Sequence, residues 1–75
     1  MKELLLYIAR SLVDHPDQVT VNEVENGDEL TLELRVAPED MGKVIGKQGR
    51  IAKAIRMVMK AAATRENVKV IVDID

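Results

Sequence analysis

Met41-Gly42-Lys43-Val44-Ile45-Gly46-Lys47-Gln48-Gly49-Arg50 is the stretch on which the reading of this chain turns. Gly46 and Gly49 bracket Lys47 and Gln48, an apolar pair precedes them, and Arg50-Ile51 opens an alanine-rich helical run. Glycine takes φ > 0 and lets another backbone come close. A Gly-Lys-Gln-Gly turn between two helices therefore suits a phosphate backbone lying against main-chain N–H groups, with Lys47 and Arg50 adding charge. The second helix starts at the same spot, so its unpaired N–H groups and positive dipole end point there too. A lone GxxG occurs in many helix–helix turns, and its surroundings decide the matter.

Those surroundings are polarised. Residues 41–65 hold Lys43, Lys47, Arg50, Lys53, Arg56, Lys60 and Arg65 and no acid, while the rest of the chain has four basic residues against all thirteen acids. The net charge of −2 and pI near 5.3 argue against a nucleic-acid partner when taken alone. Local recognition follows the distribution, because exposed charges are screened beyond about 10 Å. A solvated helix face accounts for Lys53 and Lys60. It leaves twenty-five consecutive residues without an acid unexplained, and a polyanion-facing surface explains them.

Seventy-five residues with 47% apolar content make one globular domain, 1–75, with a small core. Without cysteine there is no disulfide and no thiolate chemistry. The apolar run Leu4–Ala9 is short, is flanked by Glu3 and Arg10, and reads as a helix face, not a signal peptide. No stretch approaches the roughly 20 apolar residues of a membrane span. The cytoplasm is the expected location. Tyr7 is the one aromatic residue, which disfavours modules that stack bases on several rings.

Outward from the decapeptide, Pro38 with Glu39 and Asp40 starts a short helix over 38–45 that Gly46 stops. Gly42 within it is read as a place where a side chain would obstruct something close. A long helix follows from Arg50 to Thr64, then a strand with Val68, Val70, Val72 and Ile74 on one face. Upstream, Leu5, Ile8, Ala9 and Leu12 recur at helical spacing over 2–14, and Pro16 ends that helix. Val19 and Val21 begin a strand, and Asn26-Gly27 signals a two-residue hairpin. The next strand sets Leu30, Leu32, Leu34 and Val36 against Thr31, Glu33 and Arg35. A strand–helices–strand connection closes to a parallel neighbour. The expectation is a three-stranded mixed sheet, the first strand antiparallel at its edge, with helices packed on one face in an α+β sandwich.

An Ile45-Gly46-Lys47-Gln48-Gly49 turn between two helices, after two strands and before one, resembles the KH domain in its type II arrangement, α-β-β-α-α-β, over essentially the whole chain. Leu12–Asp17, Val44–Arg50 and Ala54–Arg56 are similar to the small single-domain bacterial KH proteins of the KhpA type. In the broader pattern GxxGxxIxxI the first Ile position falls on Ala52, with Ile51 one residue early, and Ile55 meets the second.

The resemblance implies that the GxxG backbone clamps about four single-stranded nucleotides while the bases lie over an apolar groove. Gly46, Lys47, Gln48 and Gly49 are then the clamp, flanked by Lys43 and Arg50. Val44, Ile45 and Ile51, with Leu34 and Val36, are groove candidates, and Leu34 is better read as core. Lys53, with Arg56 and Lys60, extends a phosphate track or faces solvent. It further implies a non-catalytic RNA chaperone or post-transcriptional regulator, without cofactor or metal, that pairs with itself or with a larger KH-containing partner of the KhpB type. The alternative is a protein-interaction module that uses the fold for dimer or partner contacts.

Other chemistry finds little support. The segment Gly42–Gln48 has three residues between its glycines where a P-loop needs four, and Gln48 stands where Ser or Thr must be. An EF-hand reading of 22–33 fails because Val24 occupies a ligand position. His15, the one histidine, has no nucleophile beside it and suits a surface or capping role. On the long helix, Met57, Val58 and Met59 cannot all face one sheet. Some of these, with Ala61, are expected at an interface between copies of the chain, and the sequence does not say which of them face the sheet and which the partner.

Overall fold

The computed structural model describes residues 1–74. Helix α1 (Lys2–Leu12) leads through a short 3-10 turn at Pro16–Gln18 to strand β1 (Thr20–Asn26) and strand β2 (Glu29–Arg35). A second 3-10 turn, Pro38–Asp40, runs into helix α2 (Met41–Ile45); the turn Lys47–Gly49 then leads to helix α3 (Arg50–Arg65) and strand β3 (Lys69–Ile74). The strands lie in the order β1-β2-β3, β1 antiparallel and β3 parallel to β2. The mixed sheet and its α+β architecture are as the sequence predicts.

Alternation sets the layers. Val21, Leu32, Leu34 and Val72 are buried on one face, where Leu5, Leu6 and Ala9 of α1, Val44 of α2, and Ile55 and Met59 of α3 close over them. The opposite face carries Thr20, Asn22, Arg35 and Ile71, all exposed. The helices stop short of the hairpin end. Glu23 and Glu25 share the face of Val21 by their spacing and are nonetheless exposed.

Three of the boundaries that differ from the expectation do so for a local reason. Helix α1 ends at Leu12, not at 14. Val13 is extended, and the N–H groups of Asp14 and His15 donate to the side chain of Asp40 rather than continuing the helix. The hairpin turn is Gly27-Asp28, because Asn26 pairs with Glu29. In that register one positive φ suffices, +66° at Gly27, whereas a turn at Asn26-Gly27 would need Asn26 left-handed as well. Val68 precedes β3 and is half-exposed. Its N–H caps α3 by donating to Ala63 O (3.0 Å), while that of left-handed Asn67 (φ 59°) donates to Thr64 O (3.2 Å), a Schellman closure.

Candidate nucleic-acid interface

Helix α2 is five residues long, too short to hold itself, and Val44, fully buried, anchors it to the core. It stops at Gly46, whose N–H closes on Gly42 O at 2.9 Å. There the backbone turns out at φ 76°, ψ 176°. Gln48 (φ 59°) and Gly49 (φ 72°) are both left-handed, and Gly49 N–H donates to Gly46 O at 3.2 Å. Arg50 then opens α3, with its N–H on Lys47 O. The two side chains at the tip, Lys47 and Gln48, are exposed. Arg50 is exposed as well and reaches back, its Nη2 standing 3.4 Å from Gln48 Oε1.

Gly46 is the position where a side chain cannot stand. A Cβ there would lie 2.6 Å from Ile51 Cγ1, while one at Gly42 meets nothing within 4 Å. The sequence reading gave that role to Gly42, and the structure transfers it to Gly46. Ile51 is thus the stop against which the turn folds back, one residue ahead of the broader KH pattern's first Ile position at Ala52.

The start of α3 is electrostatically unfinished. Gly49 offers it no side-chain cap, and its first turn holds no acid. Instead it carries Arg50 and Lys53, cations at the positive end of the dipole, each costing the helix about 0.3–1 kcal/mol. An anion at the turn would satisfy the free N–H groups and both cations together. This arrangement is fit to receive a phosphate.

The ten candidate residues divide. Gly46, Lys47, Gln48, Gly49 and Arg50 form one continuous turn, and Lys53 lies exposed one helical turn further on. Ile45, 36% exposed, and half-buried Ile51 flank it with apolar surface. Val44 is fully buried, as is Leu34; both support the site from beneath and neither lines a groove. Lys43 is turned away, its Nζ 3.0 Å from Asp14 Oδ2 and 3.9 Å from Asp40 Oδ1. Those contacts hold its pKa above the ordinary lysine value: first the hydrogen bond to Asp14, then the charge of Asp14, with burial opposing and Asp40 adding. Arg56 lies along the sheet edge, Nε 3.4 Å from Val72 O.

Sequence reasoning missed the group behind Lys43. Asp40 is fully buried and accepts N–H bonds from Asp14 (3.2 Å) and His15 (3.0 Å) and a contact from His15 Nδ1 (3.0 Å). Burial pushes its pKa up, but the N–H of Asp14, the His15 ring and the N–H of His15 outweigh that and hold it below the ordinary carboxylate value. The available signal was an acid placed immediately before α2 with His15-Pro16 as the one histidine segment. Nothing local in the sequence joins the two.

A family model described as KhpA/KhpB, KH domain, matches residues 2–74. The RNA-binding protein KhpA of Clostridium perfringens is 68% identical to this chain over 99% of each. The RNA-binding protein KhpA of Halalkalibacterium halodurans is 58% identical, over 99% of this chain and 97% of its own. Among solved structures, Aquifex aeolicus Era bound to GDP and tetrafluoroaluminate matches with a TM-score of 0.67 at 20% identity, covering 97% of this chain and 28% of Era. That last likeness is one of fold.

Proposed function

This chain belongs to the KhpA/KhpB KH-domain family, and from that premise we propose that it is a non-catalytic RNA-binding protein that grips single-stranded RNA at the Gly46–Gly49 turn. One observation carries the placement of the grip. An exposed turn with two consecutive left-handed residues sits at the uncapped, acid-free start of α3, with Lys47, Arg50 and Lys53 around it. The backbone of one strand meets Lys47 and Arg50 at the turn, and Ile45 and Ile51 offer apolar surface beside it. A role as an RNA chaperone or post-transcriptional regulator in the cytoplasm, by one domain over 1–75, belongs to the same reading.

The test is a double variant, Lys47→Asp with Gln48→Asp. Both side chains project from the turn into solvent, so the fold stays and each acid stands against phosphate. Titrating a short unstructured RNA into both proteins should show binding lost by a few kcal/mol, on the order of two charge-assisted contacts. Unchanged affinity with an unchanged circular dichroism spectrum would refute the placement.

Pairing is the second part of the proposal, with another copy or with a larger KH-containing partner of the KhpB type. Val58 (49% exposed) and Met57 (64%) on α3 lie open to solvent, as does Tyr7 (71%) on α1. Between α1 and α3 runs an apolar groove of about 460 Å³ that includes Tyr7, Leu12, Ala54 and Val58. These residues favour a contact surface beside the RNA grip, so a module serving protein contacts alone is the competing reading. It has no use for Lys47, whereas Arg50 and Ile51 line the groove as well as flanking the grip.

A further inference from the structure

We propose that Asp40 is a positioning residue for the RNA grip: its buried carboxylate staples the loop at 13–16 to the start of α2 and lets His15 tune the grip with pH. This rests on the RNA reading above. Asp40 stands immediately before α2, and Gly46 follows the helix directly. Five residues of helix transmit any displacement at one end to the other. Two tethers fix that helix, Val44 in the core and Asp40 against the loop.

The tether gathers three elements. Oδ1 of Asp40 accepts the N–H of Asp14, Oδ2 accepts that of His15 and faces Nδ1 of its ring, and Lys43 of α2 completes the group by bridging toward Asp14 and Asp40. The charged groups that face His15 are Asp40 and Glu39 of the 3-10 turn and Asp14 of the loop, with Lys43 beyond them. With His15 protonated, the quartet of Asp14, Asp40, His15 and Lys43 is neutral. When His15 loses its proton, two carboxylates are left to one lysine. The excess negative charge then draws Lys43 inward and repels phosphate arriving at the adjoining turn.

The direction of the shift places this change in a useful range. The hydrogen bond to Asp40 raises the pKa of His15, burial opposes it, and the charges of Asp40, Glu39 and Asp14 raise it further. Deprotonation therefore falls above the ordinary value of about 6.5. RNA binding weakens as pH rises through the neutral range.

The experiment measures affinity for a short unstructured RNA of adenosine and cytidine, whose bases titrate well below this range, from pH 6 to 8.5 at constant salt. The proteins are wild type, His15→Gln, which keeps a donor for Asp40 without titrating, and Asp40→Asn. Wild type should lose affinity roughly three- to tenfold across the range, the reach of one charge through a partly screened site. His15→Gln should be flat. Asp40→Asn removes a charge that repels phosphate but also the acceptor that fixes the loop; weaker binding at every pH is expected from the lost tether, and unchanged or tighter binding overturns the positioning role. A flat wild type, or a His15→Gln profile parallel to it, overturns the proposal even if both variants lose stability. Amide protection factors for Val44–Gly46, followed over the same pH range without RNA, keep the two readings apart. Should no RNA bind at any pH, the RNA reading fails. Protection that falls with the His15 midpoint in wild type alone then upholds the tether, and protection unmoved by it overturns the tether.

Discussion

At position 46 the backbone runs at φ 76° and the space for a Cβ is taken by Ile51, 2.6 Å away. Gly46→Ala must hold an alanine at φ 76°, ψ 176°, a region open in practice to glycine alone, at about 1–3 kcal/mol, and overpack Ile51 at about 1–3 kcal/mol. A loss of roughly 2–6 kcal/mol in denaturant melts is the expected outcome. Gly42→Ala is the control: its site in α2 is open, and alanine should be neutral or stabilising by up to about 1 kcal/mol. Equal effects at the two positions would contradict the geometry. The sequence showed that both glycines sit near a helix end but not which faces a neighbour, because that neighbour's distance is set by how α2 and α3 cross. The pH dependence of stability belongs to this scale as well. His15 has a raised folded pKa, so its contribution is complete below about 6.5 and is lost as pH rises through the folded value. Asp40 has a lowered one, so its contribution is present above about 3.9 and is lost as pH falls through the folded value. Thermal melts should show a plateau between these limits, and His15→Gln should remove the fall on its alkaline side.

Helix α3 carries three consecutive apolar residues that the fold distributes differently. Met59 is fully buried, together with Ala52, Ile55 and Ala63, while Met57, Val58 and Ala61 are exposed. The excess width of the apolar stripe was legible in the sequence, since helical spacing forbids all of it from facing one sheet. The sequence left open which of these residues faces the sheet, and the structure gives that place to Met59. Its side chain is committed to the core because α3 rolls toward the sheet on the Ala52–Ile55–Met59–Ala63 line. Strand faces were legible for the same reason, period-two alternation being a local property, whereas the hairpin register was not, since shifting it by two residues preserves every face. Met59→Asp should then unfold the chain, as an unpaired charge in the core costs more than about 3 kcal/mol against a total of roughly 4–11 kcal/mol for a domain this size. Val58→Asp should leave the monomer folded and, if the groove beside α1 is a self-complementary contact, shift the protein from dimer to monomer in light scattering. A wild-type protein monomeric at high micromolar concentration would refute self-association.

At the scale of the whole molecule one cluster of acids stands far from the grip. Glu23, Glu25, Asp28, Glu29 and Glu66 gather around a cavity at the hairpin end. The strand register and the path of α3 put the Gly46–Gly49 turn at the other end, separated by a 16-residue helix about 24 Å long. That exceeds the Debye length of about 8 Å at physiological salt. A net-acidic chain therefore carries a locally cationic surface, the one proposed above for RNA, and the pI is no guide to the partner. Glu25→Gln with Glu29→Gln should change RNA affinity by less than about twofold at physiological salt. The effect should grow as salt is lowered to about 10 mM, where screening reaches about 30 Å. At the grip itself, neutralising two to four phosphates predicts that log K falls with log salt at a slope of roughly −1.4 to −2.8. Affinity for a monomer, without aromatic stacking, should be about micromolar or weaker. Lys47→Gln should remove one contact, making the slope shallower by about 0.7 and weakening binding at low salt more than at high. If the slope were unchanged, Lys47 would not meet phosphate, and the positive face of α3 would owe its composition to something other than RNA.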